Sequence, residues 1–239
     1  MPVNWLNGKE GTYMRKKSLL VLLVLMVALS TAAIANAASG LCEVYWMTST
    51  TLGGSGVGPG GTESIQASLK NIGYNAIRYQ DTNAYNVRKA MNSDVVFAII
   101  THGAPGRVVC DGGTTMSANN VSSVSSNYSL AAFYKSGDFS SMKFAYYGSC
   151  LGARTDKSYG NLLSYTTSTL GAASALGFYN SVSDTQATYF EQQLFQRLIS
   201  GDSVSAAASA AKVATYNKYS SYGQVDSYKI YGDSSTKIE

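Results

Sequence analysis

The chain has one histidine and three cysteines among 239 residues. A single histidine excludes a histidine-rich metal site, and three cysteines are too few for a small scaffold held by a disulfide framework. No spacing of His, Cys, Asp and Glu matches a set of metal ligands, and no cofactor is implied. Three prolines and 13% charged residues leave no proline- or charge-rich linker to divide the chain, and there is no internal repeat. The body contains no run of about 20 apolar residues, so no membrane span is read there. What the chain does have is 45% hydrophobic residues, too many for a disordered polymer.

The formal charge of +4 suggests a basic protein until its distribution is considered. Arg15, Lys16 and Lys17 precede an apolar stretch from Leu19 to about Leu29, and small residues follow, ending in Ala35, Asn36 and Ala37. A basic segment, an apolar segment and an A-x-A site make a secretory signal peptide over residues 1–37. An N-terminal membrane anchor fits less well, because the apolar run is short for a span. Cys42 lacks a lipobox, since Leu41 stands where a small residue is needed. Residues 1–13 fit no signal peptide. Lys9, Glu10 and Gly11 can be encoded by a ribosome-binding sequence, so translation is expected to start at Met14. Cleavage after Ala37 leaves a single domain over residues 38–239 with 14 basic and 13 acidic residues. That balance gives no electrostatic case for nucleic acid. The expected protein is secreted, with no stable membrane association once the signal is removed.

Along the mature chain, apolar runs and helical patterns alternate. Strands are predicted over Cys42–Ser49, Ala76–Gln80, Val95–Thr101, Met142–Tyr147, Ala173–Phe178 and Tyr228–Tyr231. Helices are predicted from Thr62 as N-cap to about Ile72, over Ala84–Met91 and Asn161–Leu170, from Asp184 as N-cap to Gly201, and over Val204–Tyr216. Asp111, Gly112 and Gly113 mark a hairpin within Arg107–Met116. The serine-rich stretch Ser117–Ser129 is ambiguous. Strands alternating with helices give an α/β domain with a mostly parallel sheet covered on both faces, and ligands of such sheets bind beyond the carboxyl ends of the strands.

Two buried strands end in reactive side chains. His102 follows VVFAIIT and precedes Gly103; Cys150 follows KFAYYGS. On adjacent parallel strands both would stand at one sheet edge, where imidazole can take the thiol proton or stabilise the thiolate. Gly103 removes bulk where a substrate backbone would approach, and the N–H groups of Gly103 and Cys150 can face an oxyanion. Taken singly, each residue has a bland explanation: a buried thiol is a small hydrophobe and a histidine a satisfied polar group. Their joint placement favours the dyad.

These blocks, in the order His before Cys, resemble the caspase-fold (clan CD) cysteine peptidases, the group of caspases, legumains, gingipains and clostripain. The segment GAASALGFYNSVSD, the amphipathic helix after it, the run GDSVSAAASAA and the late YGD at Tyr231–Asp233 are similar to the bacterial gingipain-like and CHAT-type branch. The resemblance covers about residues 42–234. It implies a three-layer caspase-like sandwich, a protein or peptide substrate, Cys150 as nucleophile, His102 as general base or proton donor, and Gly103 as oxyanion-hole glycine. Two departures stand out. Clostripain-like members carry an aspartate two residues before the cysteine to read a basic P1 side chain (the residue on the acyl side of the cleaved bond), and here that position is Gly148. The first strand does not end in the arginine by which caspases read aspartate. P1 preference therefore stays open.

The remaining signals are weaker. Gly56, Gly58 and Gly61, with Asp81 beyond, imitate a dinucleotide fingerprint, but Gly56 lies about seven residues past the strand instead of in the tight turn that mechanism needs. A loop flanking the substrate explains the glycines better. Asp184 serves either as a wall of a substrate pocket or simply as a helix cap. Cys42 and Cys110 are compatible with a disulfide or with two isolated thiols. Two rivals accompany the cysteine endopeptidase: a silent binding or scaffold module on the same fold, and a Cys-His acyl hydrolase or transferase that does not act on peptides.

Overall fold

The apolar runs separated along the sequence come together side by side. The computed structural model describes residues 39–48 and 59–239. The leader read over residues 1–37 and all but the last residues of the glycine-rich stretch 52–61 lie outside the described residues, Gly56 and Gly58 among them. In chain order the elements are β1 (Leu41–Trp46), α1 (Thr62–Asn71), β2 (Asn75–Gln80), α2 (Ala84–Ala90) and β3 (Asp94–Ile100). Four short strands follow: β4 (Gly103–Ala104), β5 (Arg107–Val109), β6 (Thr115–Ser117) and β7 (Asn127–Ser129). Then come β8 (Phe144–Gly148), α3 (Leu162–Ser164, continued by a π turn over Tyr165–Thr169), β9 (Ser174–Phe178), α4 (Asp184–Leu198), α5 (Val204–Tyr219) and β10 (Tyr228–Gly232).

The main sheet has the order β10-β9-β8-β3-β1-β2. All its pairings are parallel except that of β10, which runs antiparallel to β9 at the edge. Strands buried on both faces read as continuous apolar runs, which is why DVVFAII and FAYYG carry almost no polar residue. Their side chains alternate between two cores. Val96, Ala98, Ile100, Phe144 and Tyr146 face α1, α4 and α5, where Leu69, Phe190, Leu194, Phe195 and Ala208 are buried. Phe97, Ile99, Ala145 and Tyr147 face α2, α3 and the short strands, with Val87, Met116, Leu162 and Leu163. Each large side chain buried in this way contributes about 1.5–3 kcal/mol relative to exposure. The result is the three-layer sandwich the sequence implies.

Several local readings need correction. The hairpin signal at Asp111–Gly113 is sound: β5 and β6 pair antiparallel around it, and Gly112 and Gly113 take the positive φ values (66° and 70°) that glycine permits. It belongs, however, to a separate four-stranded sheet, β4-β5-β6-β7, whose strands of two or three residues are too short to show an alternating pattern. The N-cap of α1 is Gly61 rather than Thr62, and that of α4 is Ser183 rather than Asp184. Asp184 is the first helical residue, where a carboxylate complements the positive end of the helix dipole. Among the described residues, no helix is long and apolar enough to cross a membrane.

Of the two readings of Cys42 and Cys110, a disulfide or two isolated thiols, the structure has the isolated thiols. Both thiols are free and buried. Cys42 packs in the core under α1 and α4, whereas Cys110 packs in the core under α2 and the small sheet, so the sheet separates them. Burial lifts the Cys42 thiol to about 12 and raises that of Cys110 further, disfavouring both thiolates. A disulfide reagent applied to the native protein without reductant is therefore expected to titrate one thiol, the half-buried Cys150, and to titrate all three after denaturation. A denatured count of one would restore the bridge.

Candidate active site

The register of two strands sets the site. β3 and β8 are parallel neighbours with Ile100 opposite Gly148, and Thr101 N–H extends the ladder by donating to Gly148 O at 3.1 Å. His102 and Cys150 each lie two residues beyond that matched pair, at the carboxyl edge of the sheet. Both are half-buried. The two segments touch: a Cβ built on Gly103 would lie 2.4 Å from Cys150 O and 2.8 Å from Ser149 Oγ. Only glycine lets the strand carrying the histidine pack this closely on the turn carrying the cysteine.

Each segment is anchored from outside the main sheet. Val109 N–H donates to His102 O at 2.9 Å, and Thr101 Oγ1 donates to Val109 O. With Gly103 opposite Val108, Val109–His102 is a hydrogen-bonded step of an antiparallel ladder, so Gly103 occupies the alternate step and turns its N–H away from β5. After Cys150 the chain reverses sharply. Leu151 has φ +61°, a left-handed conformation that costs a non-glycine residue about 1–3 kcal/mol and persists only where the surroundings hold it. Here Leu151 N–H donates to Asn180 O at 3.2 Å, and Ala153 N–H to Phe178 O at 3.0 Å, hooking the turn onto the end of β9. The Cys150 sulfur accepts a hydrogen bond from Val182 N–H at 3.3 Å and lies 3.8 Å from Val182 O.

His102, Gly148, Cys150 and Asp184 line one cavity together with Thr188 and Glu191. The structure thus brings together His102, Gly103, Gly148, Cys150 and Asp184, and sets Cys42 and Cys110 apart from them. Asp81 is also elsewhere: its carboxylate accepts from Thr48 N–H and Thr48 Oγ1, both at 2.6 Å, tying the ends of β1 and β2 together. Among the described residues no group of three His, Cys, Asp or Glu side chains is placed to hold a metal ion.

Glu191 is the residue that sequence reasoning missed. It is 1% exposed, and its carboxyl accepts from Gly61 N–H at 3.0 Å and from Tyr146 OH at 3.2 Å. Three glycines surround it. A Cβ on Gly148 would lie 2.9 Å from its Oε1, and Cβ atoms on Gly61 and Gly60 would lie 3.0 and 3.3 Å from its Oε2. Burial pushes this carboxyl up to about 8; the Gly61 N–H and Tyr146 bonds offset part of that, and the nearby Asp184 charge adds to it. A signal was present in the sequence. The buried stripe of α4 runs through Ala187, Leu194 and Leu198, and the position completing it at helical spacing is Glu191. An acid on an apolar stripe is costly unless it is hydrogen-bonded.

No family model and no curated protein matches the sequence. The chain superposes on gingipain R, an Arg-specific cysteine proteinase, with a TM-score of 0.53 at 15% identity, over 84% of this chain and 48% of that one. It superposes on the complex of the pro- and mature domains of RgpB from Porphyromonas gingivalis with a TM-score of 0.54 at 15% identity, covering 84% and 49%. Caspase-1 from Spodoptera frugiperda gives 0.53 at 13% identity, covering 82% of this chain and 89% of that one. The chain has the caspase fold. It spans about half the length of the gingipain chains it matches, so in size it compares with the caspase. In this instance of the caspase fold the position two residues before the cysteine is Gly148, and a carboxyl carried by α4 occupies the space beside it.

Two outcomes follow from this geometry. Gly103→Ala is expected to lower stability by about 1–3 kcal/mol, because its methyl group must displace Cys150 backbone; urea denaturation measures it, and an unchanged midpoint would contradict the close approach. The second outcome concerns pH. Glu191 rises from about 4.5 to about 8 on folding, and Asp94, buried beside Glu43, rises from 3.8 to about 9. Both groups hold protons more tightly in the folded chain, so their contribution is fully present below about pH 4 and erodes as pH rises through 8 and 9. Between pH 5 and 8 wild-type protein should lose more stability than Glu191→Gln; equal slopes would show that the buried carboxyl does not titrate as described.

Proposed function

We propose that the chain is an exported cysteine endopeptidase acting through a Cys150–His102 dyad. The observation that carries this is the placement of both side chains two residues past a matched pair on adjacent parallel strands, lining one cavity. The likeness to cysteine peptidase structures supports the same chemistry on this fold. Export rests on the N-terminal segment read in the sequence, and a protein or peptide is the substrate.

The proposed reaction uses groups already described. Cys150 gives its proton to His102 and its sulfur attacks the carbonyl carbon of the scissile bond. The negative charge that develops on the carbonyl oxygen is met by the backbone N–H groups of Gly103 and Cys150. The C–N bond breaks as His102 protonates the leaving amine. Water then hydrolyses the thioester, releasing the acid and restoring the thiol. The Val182 backbone contact with sulfur must loosen for attack, in keeping with catalytic hydrogen bonds that tighten only with substrate present.

Cys150→Ala and a fluorogenic peptide library test the proposal. Cleavage by the mature wild-type protein should disappear in the variant, with folding stability changed by only about 1 kcal/mol. His102→Ala should also fall by a factor of at least about 100, the low end of general acid–base contributions. Full cleavage by Cys150→Ala would exclude Cys150 as nucleophile. A wild-type protein that folds, carries a reactive thiol and cleaves no peptide would favour a binding module or other acyl chemistry.

A further inference from the structure

Buried hydroxyls in this protein find acceptors. Thr62, Thr101, Ser117, Thr166 and Thr215 are buried, and each donates its proton to a backbone carbonyl. Ser149 is different. It is 1% exposed, and its Oγ has no hydrogen-bond partner. Among the described residues Arg88, Asp94 and Arg154 also carry unpartnered buried atoms, but of these four only Ser149 lines the cavity with Cys150 and His102. An unpaired buried polar group is a cost to folding, and its presence asks for a use outside folding.

The hydroxyl occupies a nook that two glycines leave. A Cβ on Gly103 would lie 2.8 Å from Ser149 Oγ, and one on Gly152 only 2.5 Å from it. Neither glycine has a positive φ, so backbone conformation does not require them; what they supply is space. Gly103 follows His102, and Gly152 follows the turn at Cys150 and Leu151, so the nook lies where the two halves of the site meet. Gly103 forms one wall of it, and the N–H of Cys150 belongs to the peptide bond that Ser149 makes with its neighbour. We propose, on the basis of the peptidase reading above, that Ser149 is a third donor to the oxyanion, its hydroxyl hydrogen-bonding the substrate carbonyl oxygen as charge develops there, beside the N–H groups of Gly103 and Cys150.

The chemistry of a hydroxyl suits that task. It donates one hydrogen bond, and its proton turns about the C–O bond to meet an acceptor. With no acceptor in the folded chain, Ser149 keeps that donor available. A neutral carbonyl oxygen gains little from it. An oxyanion gains more, because hydrogen bonds to a charged oxygen are short and strong, the more so away from water. The bond is therefore stronger in the transition state than in the ground state, which is the condition for acceleration. As the Cys150 sulfur bonds to the carbonyl carbon, the π pair of the carbonyl moves onto oxygen, and the hydroxyl binds that oxygen while its proton stays on Ser149. When the C–N bond breaks, the pair returns to the carbonyl and the hydroxyl is released. Val182, whose N–H holds the sulfur, lines the same cavity, so the movement that frees the nucleophile also opens the space beside Ser149 to the carbonyl oxygen.

Ser149→Ala tests the assignment through two reactions of one thiol in the mature protein. Hydrolysis of the library peptide that the wild-type protein cleaves fastest passes through an oxyanion. Alkylation of Cys150 by iodoacetamide, followed by intact mass, displaces iodide and forms none. The variant should lose about 10- to 100-fold in kcat, reaching the lower end of what one oxyanion-hole donor gives, with KM within about twofold. Its alkylation rate should match wild type, and its urea midpoint should not fall, because the hydroxyl removed had no partner. An unchanged kcat overturns the assignment. So does a matching fall in alkylation, which would make Ser149 a support for the cysteine turn. A variant that fails to fold by circular dichroism, or unfolds at lower urea, overturns it too, by giving the hydroxyl a structural role. In each of these cases cleavage by the wild-type protein leaves the peptidase reading standing. A wild-type protein that is alkylated at Cys150 and cleaves no library peptide overturns the peptidase reading itself, and this assignment with it.

Discussion

The pairing of β3 with β8 is the constraint on which the rest of the site depends. Both strands are buried on both faces, so neither can slip by one residue without exchanging the side chains of two different cores. Phe97 and Tyr147 belong to one core and Ile100 and Tyr146 to the other. Ile100 is thereby held beside Gly148, and His102 and Cys150 inherit their positions from packing several residues earlier. The chemistry is placed by hydrophobic burial, and the polar contacts above the sheet refine it. The small sheet holds the histidine strand, the turn at Leu151 holds the cysteine, and Gly103 lets the two meet.

A second constraint runs perpendicular to the first. Glu191 is carried by a helix, accepts from the N-cap of α1 and from a tyrosine of β8, and fills the space three glycines leave. One carboxyl thus ties together two helices and the strand that leads to Cys150. An apolar side chain of similar volume would pack there without desolvation cost, so the carboxyl is not a means of gaining stability. It lines one cavity with Cys150, and its cost is offset by the hydrogen bonds it accepts.

The sequence was most informative where burial is continuous and least where it is local. DVVFAII and FAYYG announce central strands by their lack of polar residues, and His102 and Cys150 are legible because each ends such a run. The last strand is legible over Tyr228–Tyr231, while its edge position and antiparallel direction depend on how the chain returns from α5, which no local pattern records. β4 and β7 were not legible at two and three residues. Cys42 and Cys110 left a bridge open because a strand's two faces cannot be assigned to particular cores before the helices are placed. Asp184 was read as a cap, and the cap proved to be Ser183, one residue away, a shift small enough to fall within the blur of any helix boundary. Glu191 was hidden by its type: a glutamate in a helix reads as solvated, and only its coincidence with the apolar stripe of α4 marks it otherwise.

The distance in sequence between the two halves of the site has a consequence for the life of the chain. His102 and Cys150 are 48 positions apart, and they are brought to one sheet edge by a parallel strand pairing that closes a long loop. Pairings of that kind bear their entropic cost before any contact rewards them, and form late relative to local structure. A chain held by a chaperone or unfolded by damage therefore has the thiol and the imidazole without their meeting at one sheet edge. The juxtaposition of Cys150 with His102 is thus a property of the closed sheet and of no shorter piece of the chain.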